Sequence, residues 1–263
     1  MTDLASSTRS HRRRTAGLDS SAHRVLLVGG SSELGPAIVR RLVGPADDAV
    51  VTLAGRLSAP LKAAEAAFCE DGYGTHVLAY EAQWGTAATS MLLAEASRRM
   101  GGLDLVVVAV ASLDDWSEHA GQDPLTPGQP GLQDLLLANF TAPALVANSA
   151  VNLLAAQRHG TLVVVSAGAP VRSRPATLGY RSAERGLDEL VRGLAARARP
   201  YGVQCAMVHP GRVRPARWAL RIPPRDLLCG RGRELPAPLR IRSGRAGDTW
   251  LTAQPWQAGP SPE

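Results

Sequence analysis

The residues best placed to do chemistry come early in the chain. In Val25-Leu-Leu-Val-Gly-Gly-Ser-Ser-Glu-Leu-Gly-Pro-Ala-Ile, a glycine-rich turn joins a short apolar run to a helical pattern. Phosphates bind at such a junction, because the first backbone N–H groups of the helix lack internal partners and its dipole favours an anion. Gly29 permits the sharp turn and Gly35 permits close packing of helix on strand, while Ser31, Ser32 and Leu34 carry the N–H groups between them. A second informative position closes the next apolar run, at Ala54-Gly55-Arg56. A carboxylate there would bond the ribose hydroxyls of NAD, whereas a cation accepts the 2′-phosphate of NADP. Arg56 therefore favours NADP over NAD; its alternative is a solvated strand end.

Other reactive residue types are scattered. His76, His119 and His159 show no ligand spacing, and Cys69, Cys205 and Cys229 form no CxxC pair. Neither a metal site nor a disulfide framework is expected, and reduced cysteines suit a cytoplasmic setting.

These residues need elements to hold them. Apolar runs of strand length recur at Val25–Val28, Ala49–Ala54, His76–Tyr80, Leu103–Val110, Thr161–Val165 and Val203–Val208. Helical patterns lie between them: Leu34, Ile38 and Leu42; residues 59–68; residues 91–100; a long stretch from Leu132 to Gln157; and Leu187, Leu190, Val191 and Leu194. Such alternation predicts an α/β fold, a Rossmann-type doubly wound parallel sheet with helices on both faces. The 263 residues suit one domain with appendages. Residues 1–23 read as a disordered basic tail, 24–211 as the nucleotide-binding domain, and 212–263 as an Arg- and Pro-rich lobe with a last strand expected at 248–253.

Charge follows the same division. The formal net charge is +6, yet ten arginines lie between Arg212 and Arg245 and five between Met1 and Arg24, while the domain between is weakly acidic. Nucleic-acid binding is not expected of the domain. The arginine cluster allows peripheral contact with an anionic membrane surface, with a solvated arginine-rich surface as the alternative. No run of 18 apolar residues predicts a transmembrane segment.

The glycine-rich loop resembles the fingerprint of the short-chain dehydrogenase/reductase family, with Glu33 where that family carries its middle glycine. The form Gly-Gly-Ser-Ser-Glu-Leu-Gly is similar to that of one branch, the decaprenylphosphoryl 2-keto-pentose reductases. The resemblance continues through Tyr180-Arg-Ser-Ala-Glu184, Asn139 and His209-Pro210-Gly211. It implies that Tyr180 gives a proton to a substrate carbonyl, that Asn139 anchors a water relay and that a serine positions the carbonyl. It also implies that Glu81 lies near the adenine, that Val108-Ala109-Val110-Ala111 replaces the Asn-Asn-Ala-Gly turn, and that Pro210 and Gly211 approach the nicotinamide.

Two positions depart from the family. Its lysine, four residues past the tyrosine, is here Glu184, and the usual serine spacing lands on Ala167, one residue beyond Ser166. Exchanging a cation for an anion about 5 Å from the phenol shifts the phenolate by roughly 6 kcal/mol at an effective dielectric of about 20, before solvent screening. Arg181 and Arg185 face other directions on an ideal helix. Ser166 serves the substrate if the following loop carries one extra residue; otherwise strand alternation turns it away.

Two functions stay open on these residues. One is an NADP-dependent oxidoreductase transferring hydride to a small-molecule ketone, with a keto-sugar on a lipid phosphate as the implied substrate, working as a homo-oligomer. The other is a catalytically impaired member that serves as a nucleotide-binding or partner subunit.

Overall fold

The structure is a computed structural model that describes residues 24–32, 34–44, 48–110, 131–166, 178–209, 240–242 and 252–254. The expected tail at 1–23 and most of the C-terminal lobe lie outside the described residues. Val- and Leu-rich runs form six strands: β1 (Arg24–Val28), β2 (Val50–Gly55), β3 (Gly74–Ala79), β4 (Leu105–Val108), β5 (Thr161–Val165) and β6 (Gln204–Val208). All pair in parallel in the order β3-β2-β1-β4-β5-β6. The order reverses between β1 and β4, and ligands of such sheets bind beyond the strand ends at that point.

Helices cover both faces, which is why the central strands read as continuous apolar runs and not as alternating ones. On one face α1 (Leu34–Val43) and α2 (Ala59–Glu70) bring Ile38, Val39, Leu61 and Phe68 against Val25, Leu27, Leu53 and Val107. On the other, α3 (Gly85–Met100), α5 (Ala142–Gln157) and α6 (Leu178–Ala198) bring Leu93, Val146, Leu154, Leu187 and Val191 against Leu26, Val106, Leu162 and Val164.

The long helix expected from Leu132 to Gln157 is not uniform. It starts as α4 (Gly131–Leu136), passes through a π-helical turn at Leu137–Thr141 and continues as α5. Asn139 sits inside that turn, and such turns cluster at functional sites. The whole run has the length and mean hydropathy of a membrane span, but its apolar residues Val146, Ala147, Ala150 and Leu154 are spent on the sheet.

The last expected strand also differs. Strand β8 (Thr252–Gln254) pairs antiparallel with β7 (Arg240–Arg242) in a two-stranded ribbon, not as a seventh strand of the main sheet.

Candidate active site

The β1–α1 loop is built by close packing. Gly29 has φ +92°, and a Cβ there would lie 2.3 Å from the Ala109 carbonyl oxygen. The N–H groups of Gly29 and Gly30 both donate to Ala54 O, at 2.9 and 3.0 Å, and Ser32 N–H donates to Gly29 O at 3.0 Å. Ser32 Oγ in turn accepts from Gly35 N–H at 3.0 Å and so caps the start of α1. A Cβ at Gly35 would meet Leu27 Cδ1, Ser32 Oγ and Ala109 Cβ at 2.9, 3.0 and 3.1 Å. Both expected glycine roles thus have a steric cause: the chain threads a gap between β1, β4 and α1 that holds no side chain.

Sequence reading passed over Gly30. A Cβ there would press on Leu61 Cδ1 at 2.9 Å and Leu53 Cβ at 3.0 Å, and the doubled glycine was its signal. Of the other loop residues, Ser31 is exposed at the tip and Leu34 is half-buried at the start of α1. Glu33 lies outside the described residues.

Arg56 leaves β2 exposed beside this loop; a Cβ at the preceding Gly55 would be 3.8 Å from both Gly30 N and Ser31 Oγ. Glu81, one strand further out, accepts from Gln83 Nε2 at 2.5 Å. Ala109 follows β4 and donates its N–H to Val28 O at 2.8 Å, so this segment walls the loop; Ala111 lies outside the described residues. The loop therefore fits a phosphate-bearing nucleotide by its place: a tight glycine turn into the start of α1 at the carboxyl ends of the strands, with a guanidinium at the adjacent strand end.

The second group of residues lies across the same sheet edge, past β5 and β6. Ser166 N–H donates to Val208 O at 2.9 Å, which extends the β5–β6 register by one step and sets Ser166 beside His209. Leu162, Val164 and Met207 point to the face covered by α6, so Ser166 and His209, in phase with them, do too. The geometry bears this out: Ser166 Oγ donates to Glu184 Oε2, and His209 Nε2 stands 3.6 Å from Asp188 Oδ1. Ser166, Glu184 and His209 are all buried.

Helix α6 supplies the other half. Tyr180, Glu184 and Asp188 follow at intervals of four and share one side of it. Gly186 lets α6 approach the π turn, since a Cβ there would sit 3.1 Å from Phe140 Cε2. Asn139 is buried in that turn, and its Nδ2 donates to Leu135 O at 3.0 Å. Arg181 is buried while Arg185 is exposed. Asp188 escaped the sequence reading, although its spacing from Glu184 was there to be seen. Ala167, Pro210 and Gly211 lie outside the described residues.

The electrostatics of this corner are set by burial and a carboxylate. The Tyr180 hydroxyl is buried with no hydrogen-bond partner of normal geometry among the described residues. Burial first, then the charge of Glu184 and its hydrogen-bonding reach, push the phenol well above its ordinary range. Tyr180 therefore stays protonated at any physiological pH and presents an O–H. The Ser166 proton, by contrast, is already given to Glu184.

Comparison with known proteins agrees with this fold. The family model described as short chain dehydrogenase matches residues 23–222. An uncharacterized oxidoreductase of Mycobacterium tuberculosis is 30% identical over 194 residues, covering 73% of this chain and 74% of that one. Among solved structures, a metagenomic short-chain oxidoreductase in complex with NADP matches with TM-score 0.62 and 22% identity, over 73% of this chain and 83% of that one. An NAD+-bound xylitol dehydrogenase matches with TM-score 0.58 and 19% identity, over 71% and 69%.

Proposed function

The chain belongs to the short-chain dehydrogenase family, and from that premise we propose that it is an NADP-dependent reductase of a small-molecule acceptor. The observation that carries this reading is the tight turn at Gly29 and Gly35, where missing side chains let the loop pack against Ala109 and Leu27 and bring the start of α1 to the strand ends where a pyrophosphate binds, with Arg56 at the next strand end for a 2′-phosphate. Ser31, Ser32 and Leu34 would line the pyrophosphate, Glu81 the adenine, and Pro210 and Gly211 the nicotinamide. The bound nucleotide would supply hydride.

The chain's own groups would do the rest. Tyr180 offers its O–H to the acceptor atom, Asn139 keeps a polar group in the π turn, and Ser166 holds Glu184 in place. The loop form and the arginine-rich C-terminal stretch support a keto-sugar on a lipid phosphate as the family-type substrate. Ketone turnover would be slow, because a phenolate left after proton transfer faces Glu184 where a cation should stand.

Glu184 also favours a second reading, a family member that binds nucleotide without catalysis. Titration of the full chain with NADPH and NADH, followed by fluorescence, tests the common premise: failure to bind either removes both readings. A ketone screen of the wild type and Tyr180→Phe then separates them, since only the reductase loses NADPH consumption with the hydroxyl.

A further inference from the structure

Resting on the reductase reading above, we propose that the acceptor favoured at the Tyr180 edge is a cationic iminium group, a protonated C=N, and not a neutral ketone. Three observations converge on one spot. The position one helical turn past Tyr180 is a buried carboxylate, Glu184. Ser166 donates its hydroxyl to that carboxylate, so the edge holds a serine and an acid turned toward each other. The Tyr180 hydroxyl is buried beside them, within hydrogen-bonding reach of Glu184, whose charge also acts on it. Other charged groups border the spot. His209 faces Asp188 one turn further along, Arg185 points to solvent, and buried Arg181 lies about a quarter-turn round the helix from Tyr180.

The two acceptors ask opposite things of such a site. Reducing a ketone puts negative charge on oxygen, and the reaction needs a proton donor and a cation to hold the phenolate that remains. An iminium arrives with its proton already on nitrogen. Hydride from the reduced nicotinamide nucleotide forms the new C–H bond, the C=N π pair becomes the nitrogen lone pair, and the nucleotide leaves oxidised. The neutral amine then takes a proton from solvent. No phenolate forms, so no lysine is required. A carboxylate beside the acceptor keeps the nitrogen protonated, which is the electrophilic form, and the phenol oxygen of Tyr180 can accept from the N–H.

The test is binding, read by calorimetry on the full chain with and without NADP+. The ligands are 3,4-dihydroisoquinoline, in buffer acidic enough to keep it as the protonated iminium, and tetralone, its uncharged ketone counterpart. The wild type is expected to bind the iminium at least roughly tenfold more tightly than the ketone, and Glu184→Gln, which keeps the shape and an acceptor for Ser166, is expected to lose that preference. Equal binding, a ketone preference, no binding of either ligand, or a preference unchanged in Glu184→Gln overturns the proposal. Should the variant not fold, NADPH consumption by the wild type decides: turnover of the iminium above that of tetralone supports the proposal, and the reverse order, or none with either, overturns it. Failure of NADPH itself to bind, seen separately by fluorescence, would instead remove the reductase reading on which this one rests.

Discussion

The two ends of one sheet edge obey different constraints. At the nucleotide end, past β1 and β2, the decisive residues are glycines, and what they contribute is absence: Gly29, Gly30 and Gly35 pack against the Ala109 backbone and the side chains of Leu61, Leu53 and Leu27 so closely that no Cβ fits between. At the other end, past β5 and β6, the decisive residues are polar and buried, and their meaning lies in sign: Ser166 donating to Glu184, His209 facing Asp188, and Tyr180 held protonated beside them. A steric requirement admits few substitutions. An electrostatic one admits a change of chemistry on an unchanged backbone, which is what Glu184 represents.

The sharpest way to break the nucleotide end is Gly29→Ala. A positive φ combined with a Cβ 2.3 Å from the Ala109 carbonyl should cost about 3 kcal/mol and abolish nucleotide binding, as read by chemical denaturation and by NADPH fluorescence. The opposite end should report itself in alkali. Because the folded-state pKa of Tyr180 is raised, its stabilising effect is complete below the unfolded value of about 10 and is lost as pH rises past it, with a slope approaching about 1.4 kcal/mol per pH unit. Glu184→Gln removes one cause of the raised pKa, so ultraviolet difference titration should find Tyr180 ionising at lower pH in that variant.

A milder change separates cofactor choice from catalysis. Arg56→Ala should weaken NADPH roughly tenfold, about 1.4 kcal/mol, and leave NADH alone, measured by parallel titrations. Loss of both equally would mean that Arg56 does not meet the 2′-phosphate.

The smallest effect belongs to neither end and serves as a control. Arg24 clamps Asp104 at the far edge of the sheet, with Nε to Oδ2 at 2.9 Å and NH2 to Oδ1 at 2.6 Å. Burial pushes the Asp104 carboxyl up, but the Arg24 hydrogen bonds and charge outweigh it and hold the group below its ordinary range. Its contribution is therefore present above about pH 4 and fades as pH falls through the folded value. Arg24→Ala should cost about 1 kcal/mol at neutral pH, shrinking in acid, with NADPH affinity unchanged.

Much of the fold was legible because its signals are local. Val25–Val28 and Thr161–Val165 announce buried parallel strands by composition alone, and the spacing of Leu187, Val191 and Leu194 announces α6. The π turn at Leu137–Thr141 was not legible, since its residues fit an ordinary helix and only the packing of Phe140 against Gly186 distinguishes them. The Tyr180 end was half legible. Tyr180, Asn139 and the substituted Glu184 could be placed by spacing, whereas the facing residues Asp188 and His209 belong to elements that touch only in three dimensions.

The sequence by itself determined the order of strands and helices, the glycine loop and the carboxylate in place of a cation, because each is a property of residues adjacent along the chain. Only the tertiary structure decided what Ser166 does. It stands at the last step of the β5–β6 register, and its partner, Glu184, is 18 residues away on a different element. The register turns its hydroxyl toward α6, and the helix rotation that aligns Tyr180 with Glu184 brings the carboxylate to meet it. Which hydroxyl receives which charge depends on the packing of strand on helix, a relation that no spacing along the chain encodes.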